Sequence, residues 1–163
     1  MAMPSDHPMA PSTKLRFLAE TVLAETKHLQ ITDSRLFNTA MTAARASTLV
    51  TDVDLSERVD AFVARFGRLQ DTLGDKLLPE LLAWLAEPVA AAIDNLNRAE
   101  RLGWIASVDA WLAVRRLRNR MIHEYVRDPH ELAHALTQAH DSVMLLGTSA
   151  QVMAGRVLDE RRE

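Results

Sequence analysis

The chain has 163 residues and 18.2 kDa, with 24 Ala, 23 Leu, five Gly, six Pro, no Cys and a formal charge of -3. That length bounds a single domain with a sizeable core, and the absence of Cys excludes a disulfide scaffold, a thiol nucleophile and any Cys-ligated zinc or iron–sulfur site. Twenty-two acidic against 19 basic residues remove any global attraction to nucleic acid or an anionic membrane, so such a contact has to be local.

Ala and Leu supply 47 of the 163 residues while β-branched and aromatic residues are few, which points to an all-α chain. Residues 1–12, with Pro4, Pro8 and Pro11 and no basic region ahead of an apolar one, read as a disordered tail and not as a signal peptide. Ser12 or Thr13 can cap a first helix with Leu15, Leu18, Val22 and Leu29 inward, ending near Gln30. Thr32 or Asp33 then caps a second, with Leu36, Phe37, Ala40, Met41 and Ala44 inward. Asp54 with Glu57 three residues on makes a capping-box pattern for a third helix, whose stripe is Val59, Phe62, Val63, Phe66, Leu69 and Leu73. Gly74 and Pro79 are positions that can end or kink that helix, Leu77 to Leu85 continues helical until Pro88, and Pro88 suits the first turn of a short helix to Arg101, stopped by Gly103.

Ser107 can cap the next helix, with Val108, Trp111, Val114, Leu117, Met121 and Ile122 inward. Asp128-Pro129 reads as the cap and first residue of a last helix, with Leu132, Leu136, Ala139, Val143 and Leu146 inward. The expectation is an all-α, up-and-down helical bundle of four or five main helices over residues 13–158, with a frayed tail at 159–163. No stretch of 18 apolar residues runs without charges, so no membrane partner is expected, and the chain reads as soluble and cytoplasmic.

The chemistry is concentrated in Arg115-Arg116-Leu117-Arg118-Asn119-Arg120-Met121-Ile122-His123-Glu124-Tyr125. On an ideal helix Trp111, Val114, Ile122 and Tyr125 fall within about 40° of Arg118, which puts a permanent cation on the apolar stripe. Such a guanidinium is costly to bury without a carboxylate, phosphate or interface partner. Asn119 and His123 project about 100–140° round from Arg118, so the three line a broad flank and not one row. Between Arg98 and Arg127 seven Arg face only Glu100, Asp109 and Glu124, a local surplus of four positive charges in an acidic chain. The bland alternative is that Arg118 pairs with an acid such as Asp71 or Asp75 and the remaining arginines are a solvated face.

The spacing Arg118-x4-His123-x-Tyr125, with Asn119 directly after the arginine and the motif closing a helix of a small all-α domain, resembles the HEPN superfamily and in detail the HepT-like toxins. By architecture the resemblance covers most of the chain after Thr13; at motif level it is confined to Arg118–Tyr125. It implies a HEPN-like domain acting as a metal-independent endoribonuclease with no cofactor, at a composite site between two copies of the chain. Arg118 would bind the scissile phosphate, His123 would move the proton of the 2′-OH or leaving oxygen, and Asn119 would orient phosphate or His123. Arg115, Arg116 and Arg120 would contact RNA, and the need for a 2′-OH would spare DNA. Tyr125, the one Tyr of the chain, matches the tyrosine that a nucleotidyltransferase antitoxin of HepT/MntA-type systems modifies with AMP. Asp71 is a possible acidic partner of Arg118 or His123. The alternative within the same resemblance is a non-catalytic HEPN dimerisation module that binds a nucleotide or a nucleotidyltransferase partner.

Other signals carry less. His123-Glu124 begins a zinc-protease pattern that fails because position 127 is Arg, and His130 and His134 lack a third ligand nearby, so no metal is expected. Trp84, Trp104 and Trp111 read as core or interface anchors and not as base-stacking platforms.

Overall fold

The computed structural model describes residues 9–124 and 128–159, positions 123 and 124 by backbone alone. Among them there are seven α-helices and no strand: α1 Thr13–Leu36, α2 Ala43–Ser47, α3 Val53–Asp71, α4 Leu78–Trp84, α5 Ala92–Arg101, α6 Val108–Glu124 and α7 Pro129–Leu158. The chain is an all-α helical bundle.

Long-range pairs fix its topology. Thr32 and Glu25 of α1 meet Arg65 of α3 and Thr72 just beyond it, so α3 runs against α1. Asp71 and Asp75 meet Arg118 and Arg115, so α6 runs against α3. Arg120 reaches Glu131 and Gln138 across the α6–α7 hairpin, and Asp33 of α1 meets His140 of α7. The four long helices therefore alternate up, down, up, down in the ring order α1, α3, α6, α7. Phe62, Phe66, Leu69, Trp111, Met121, Leu136, Leu146 and Met153 are among the side chains that fill the centre.

Several helix ends follow local chemistry. The Ser12 hydroxyl accepts from the Leu15 N–H, that of Ser107 from Ala110, and the Asp128 carboxylate from His130 and Glu131, with Pro129 opening α7. Gly103 sits at φ 76°, where the Gly103 N–H donates to the Glu100 carbonyl and the Trp104 N–H to that of Ala99. That two-bond Schellman closure needs a left-handed residue, which glycine adopts without a Cβ clash, and it turns the buried Trp104 back onto the core.

The structure corrects four expected boundaries. First, α1 does not stop near Gln30. Thr32 stays inside the helix, its hydroxyl donating to the His28 carbonyl while accepting from Arg65, so a tertiary partner occupies the oxygen that would have capped a new helix. The expected second helix shrinks to α2, and Ala40 and Ala44 are exposed. Arg45 of α2 donates to the carbonyls of Leu36 and Thr39, satisfying the end of α1.

Second, the cap of α3 is Asp52, which accepts from Leu55, so Asp54 and Glu57 lie inside the helix. Third, neither Gly74 nor Pro79 ends the helical path. Residues Thr72–Leu77 form a π-helical turn joining α3 to α4, and Pro79, which has no N–H to donate, sits just after that turn. Fourth, α5 starts at Ala92, four residues after Pro88; the side chain of Asn95 ties down the preceding loop through both the N–H and the carbonyl of Ala90.

Of the expected N-terminal tail, residues 9–12 are placed: the Met9 carbonyl accepts from the Trp84 indole, and Pro11 is buried. Residues 1–8 and 160–163 lie outside the described residues. No helix among the described residues is long and apolar enough to cross a membrane.

Candidate functional site

The seam between α3 and α6 is where the sequence-derived site residues come closest together. Nη1 of Arg118 donates to both carboxylate oxygens of Asp71, each at 2.8 Å, and Arg115 reaches Asp75 at 3.4 Å one turn away. Arg118 can lie flat against α3 because residue 67 is glycine. A Cβ built there would stand 2.7 Å from Nε and 3.1 Å from Cδ of the arginine. Glycine inside a helix is destabilising by about 0.5–1 kcal/mol relative to alanine. Here it is retained at a point of close approach.

Arg118 is not buried as the helical-wheel reading implied. The buried face of α6 is Trp111, Val114, Leu117 and Met121, and Arg118 stands at its edge with its side chain 37% exposed. Ile122, expected inward, is 55% exposed beside it. The arginine separates two depressions. On one side is a mainly apolar groove of about 390 Å³ lined by Val63, Ala64, Gly67, Met121 and Ile122, with Asp60 at its wall. On the other is a charged cleft of about 700 Å³ lined by Arg68, Asp71, Thr72, Asp75 and Lys76.

The other site residues diverge. Arg120 faces α7, donating to Gln138 at 3.2 Å and Glu131 at 3.0 Å. Arg116 and Asn119 are exposed, away from both seams. The side chain of His123 and the whole of Tyr125 lie outside the described residues. The described geometry thus joins Arg118, Arg115 and Asp71 and leaves Arg116, Asn119 and Arg120 apart.

The surplus of four positive charges counted along residues 98–127 is also corrected. Four of its arginines, Arg98, Arg115, Arg118 and Arg120, pair with Glu87, Asp75, Asp71 and Glu131, all outside that segment. Four borrowed carboxylates offset the four surplus charges. Four of the seven arginines of this segment are therefore ion-paired in the fold.

Four contributors escaped the sequence reading. Gly67 carried a usable signal, an isolated glycine within an unbroken helical stripe. Arg68 and Lys76 line the charged cleft, and neither has a carboxylate within ion-pair distance among the described residues. Glu25 of α1 accepts a hydrogen bond from the Thr72 hydroxyl at the back of this cleft, while its other oxygen is buried without a partner among the described residues. Burial lifts the Glu25 carboxyl above its ordinary value and outweighs the Thr72 hydrogen bond and the cations Arg68 and Lys76, which pull it down. Nothing in the pattern of α1 marks Glu25, because its environment is made by residues about 45 positions away.

No group of three or more metal-ligating side chains occurs among the described residues. Comparisons with protein-family models, with curated proteins and with solved structures found no match to this chain.

Proposed function

We propose that the protein is a HEPN-type, HepT-like endoribonuclease toxin, acting as a homodimer on RNA and restrained by a nucleotidyltransferase that adds AMP to Tyr125. The observation that carries this reading is the motif Arg118-x4-His123-x-Tyr125 of the sequence, whose Arg118 stands on α6 at a cleft of about 700 Å³. In this reading the Arg118 guanidinium binds the scissile phosphodiester and stabilises the charge that builds on it. His123 takes the 2′-OH proton or returns one to the leaving oxygen, a task suited to a side chain that titrates near neutrality. Asn119 orients the phosphate or His123. Arg115, Arg116 and Arg120 hold the flanking backbone. A second copy placed over the apolar groove would cover the exposed Ile122 and bring two α6 helices together.

One observation favours a second reading, a non-catalytic helical module that binds a nucleotide or a nucleotidyltransferase. Arg118, Arg115 and Arg120 are each already engaged by a carboxylate, as they would be in a purely structural role.

The readings part on expression of the wild type beside Arg118→Ala and His123→Ala, with growth and RNA integrity followed. The nuclease reading expects RNA cleavage by the wild type alone and loss of it in both variants. Intact RNA and normal growth with the wild type end that reading. For the modification, the wild type incubated with a nucleotidyltransferase partner and ATP gains the mass of AMP, whereas Tyr125→Phe does not.

A further inference from the structure

We infer that Asp71 is a resident competitor on Arg118, occupying the place a phosphodiester takes, and that the ligand enters the α3–α6 cleft by displacing it with help from Arg68 and Lys76. For its ligand class this rests on the proposed action on RNA; the exchange itself rests on the geometry of the cleft.

Three features carry it. The Asp71 carboxylate is held through a single guanidinium nitrogen, Nη1, although arginine offers a two-nitrogen fork. The pair is about 40% exposed on both sides, and an ion pair in such a setting contributes only about 0–1 kcal/mol, so parting it costs little. A phosphodiester matches the single negative charge and the pair of acceptor oxygens that the carboxylate offers.

The cleft also holds two cations that Asp71 does not use. Arg68 and Lys76 project from α3 and from the π-helical turn, and both line the same cleft as Arg118. The turn makes this possible: it carries the helical path past Asp71 without a break, so Asp71, Thr72, Asp75 and Lys76 all border one depression. An anion there meets three positive side chains, and its arrival frees one carboxylate. Without a ligand Asp71 neutralises the arginine.

The test is fluorescence anisotropy with a labelled 2′-O-methyl oligoribonucleotide, which keeps the phosphodiesters but cannot be cleaved through a 2′-OH. Asp71→Asn should bind up to about fivefold tighter than the wild type, because one negative charge beside the arginine is gone. Asp75→Asn removes the same charge from the same cleft, next to Arg115, and should change binding by about twofold or less. Arg118→Gln placed in the Asp71→Asn background should erase the gain, and Arg68→Gln with Lys76→Gln should weaken binding in the wild type. Thermal unfolding of each variant, with Asp71→Ser as a second replacement, separates binding from misfolding.

Three results overturn the inference: no binding by any variant, no gain in a folded Asp71→Asn or Asp71→Ser, or an equal gain in Asp75→Asn. An unmodified oligoribonucleotide run in parallel reads the nuclease proposal separately. Tighter binding by Asp71→Asn with the RNA left intact keeps the exchange and ends the nuclease reading.

Discussion

The backbone of Gly67 is the surface on which Arg118 rests: a Cβ at residue 67 would lie 2.7 Å from Nε of the arginine. Gly67→Ala should therefore lift the guanidinium out of the cleft, away from Asp71 and from an anion bound there alike, while leaving the core intact, since the obstructed atoms belong to a long side chain at the edge of the bundle. Alanine is favoured over glycine in a helix interior by about 1 kcal/mol, which offsets the lost ion pair. The melting temperature should stay within about 4 °C of the wild type. Cleavage, or oligonucleotide binding, should fall with it unchanged in stability. A Gly67→Ala protein with wild-type binding and activity would show that Arg118 does not act from the observed position.

Glu25→Gln should stabilise the protein at neutral pH. Burial raises the folded-state value of Glu25 above its ordinary 4.5, so its contribution is full below the unfolded value and is lost as pH rises through the folded one. Glutamine keeps an acceptor for the Thr72 hydroxyl and carries no charge to desolvate. Melting curves of the two proteins should converge near pH 4 and separate by a few °C, about 2–4, towards pH 7, with the variant higher. A variant that melts lower at pH 7 would mean that Arg68 and Lys76 outweigh burial.

Trp111 is the large side chain of α6 that meets the π-helical turn, its indole Nε1 lying 3.4 Å from the Cβ position of Gly74. Trp111→Ala should cost about 3–5 kcal/mol in urea unfolding, because the cavity is walled by helices on both sides. The same truncation at exposed Ile122 should cost less than about 0.5 kcal/mol. If a second copy sits on the groove that Ile122 borders, as proposed, loss of that side chain should instead appear as weaker self-association in sedimentation.

Asp33 and His140 should behave as a coupled pair. The imidazole Nδ1 stands 2.7 Å from the Asp33 carboxylate, and its ring stacks on Phe37 at 4.3 Å between centroids. Phe37 in turn meets Phe62 edge-on, so one contact ties the end of α1 to both α7 and α3. A cycle of Asp33→Asn, His140→Gln and the double variant should give a coupling of about 0.5–1 kcal/mol. Additive losses would reduce the pair to a surface proximity.

The helix-forming composition, the inward stripes of α3 and α7, the caps at Ser12, Ser107 and Asp128 and the stop at Gly103 were all legible from local pattern. Those signals act within four residues, through i to i+4 spacing and through side chains that reach the nearest free N–H groups. Thr32 shows where such reasoning ends. It has the chemistry of a cap, yet Arg65, 33 positions away, binds its hydroxyl and the helix runs on.

The candidate site divides along the same line. By itself the sequence determined that residues 118–125 carry a cation, an imidazole and a phenol at helical spacing, and that the surrounding segment is rich in arginine. It also made Asp71 one of a few acids that Arg118 could meet. Only the tertiary structure decided that Asp71 is that partner across 47 positions, that Gly67 makes room for the pair, and that four borrowed carboxylates offset the local charge. Charge along a chain adds up by position, whereas the field at a site depends on which helices pack together, and that is set by the apolar faces and not by the charges themselves.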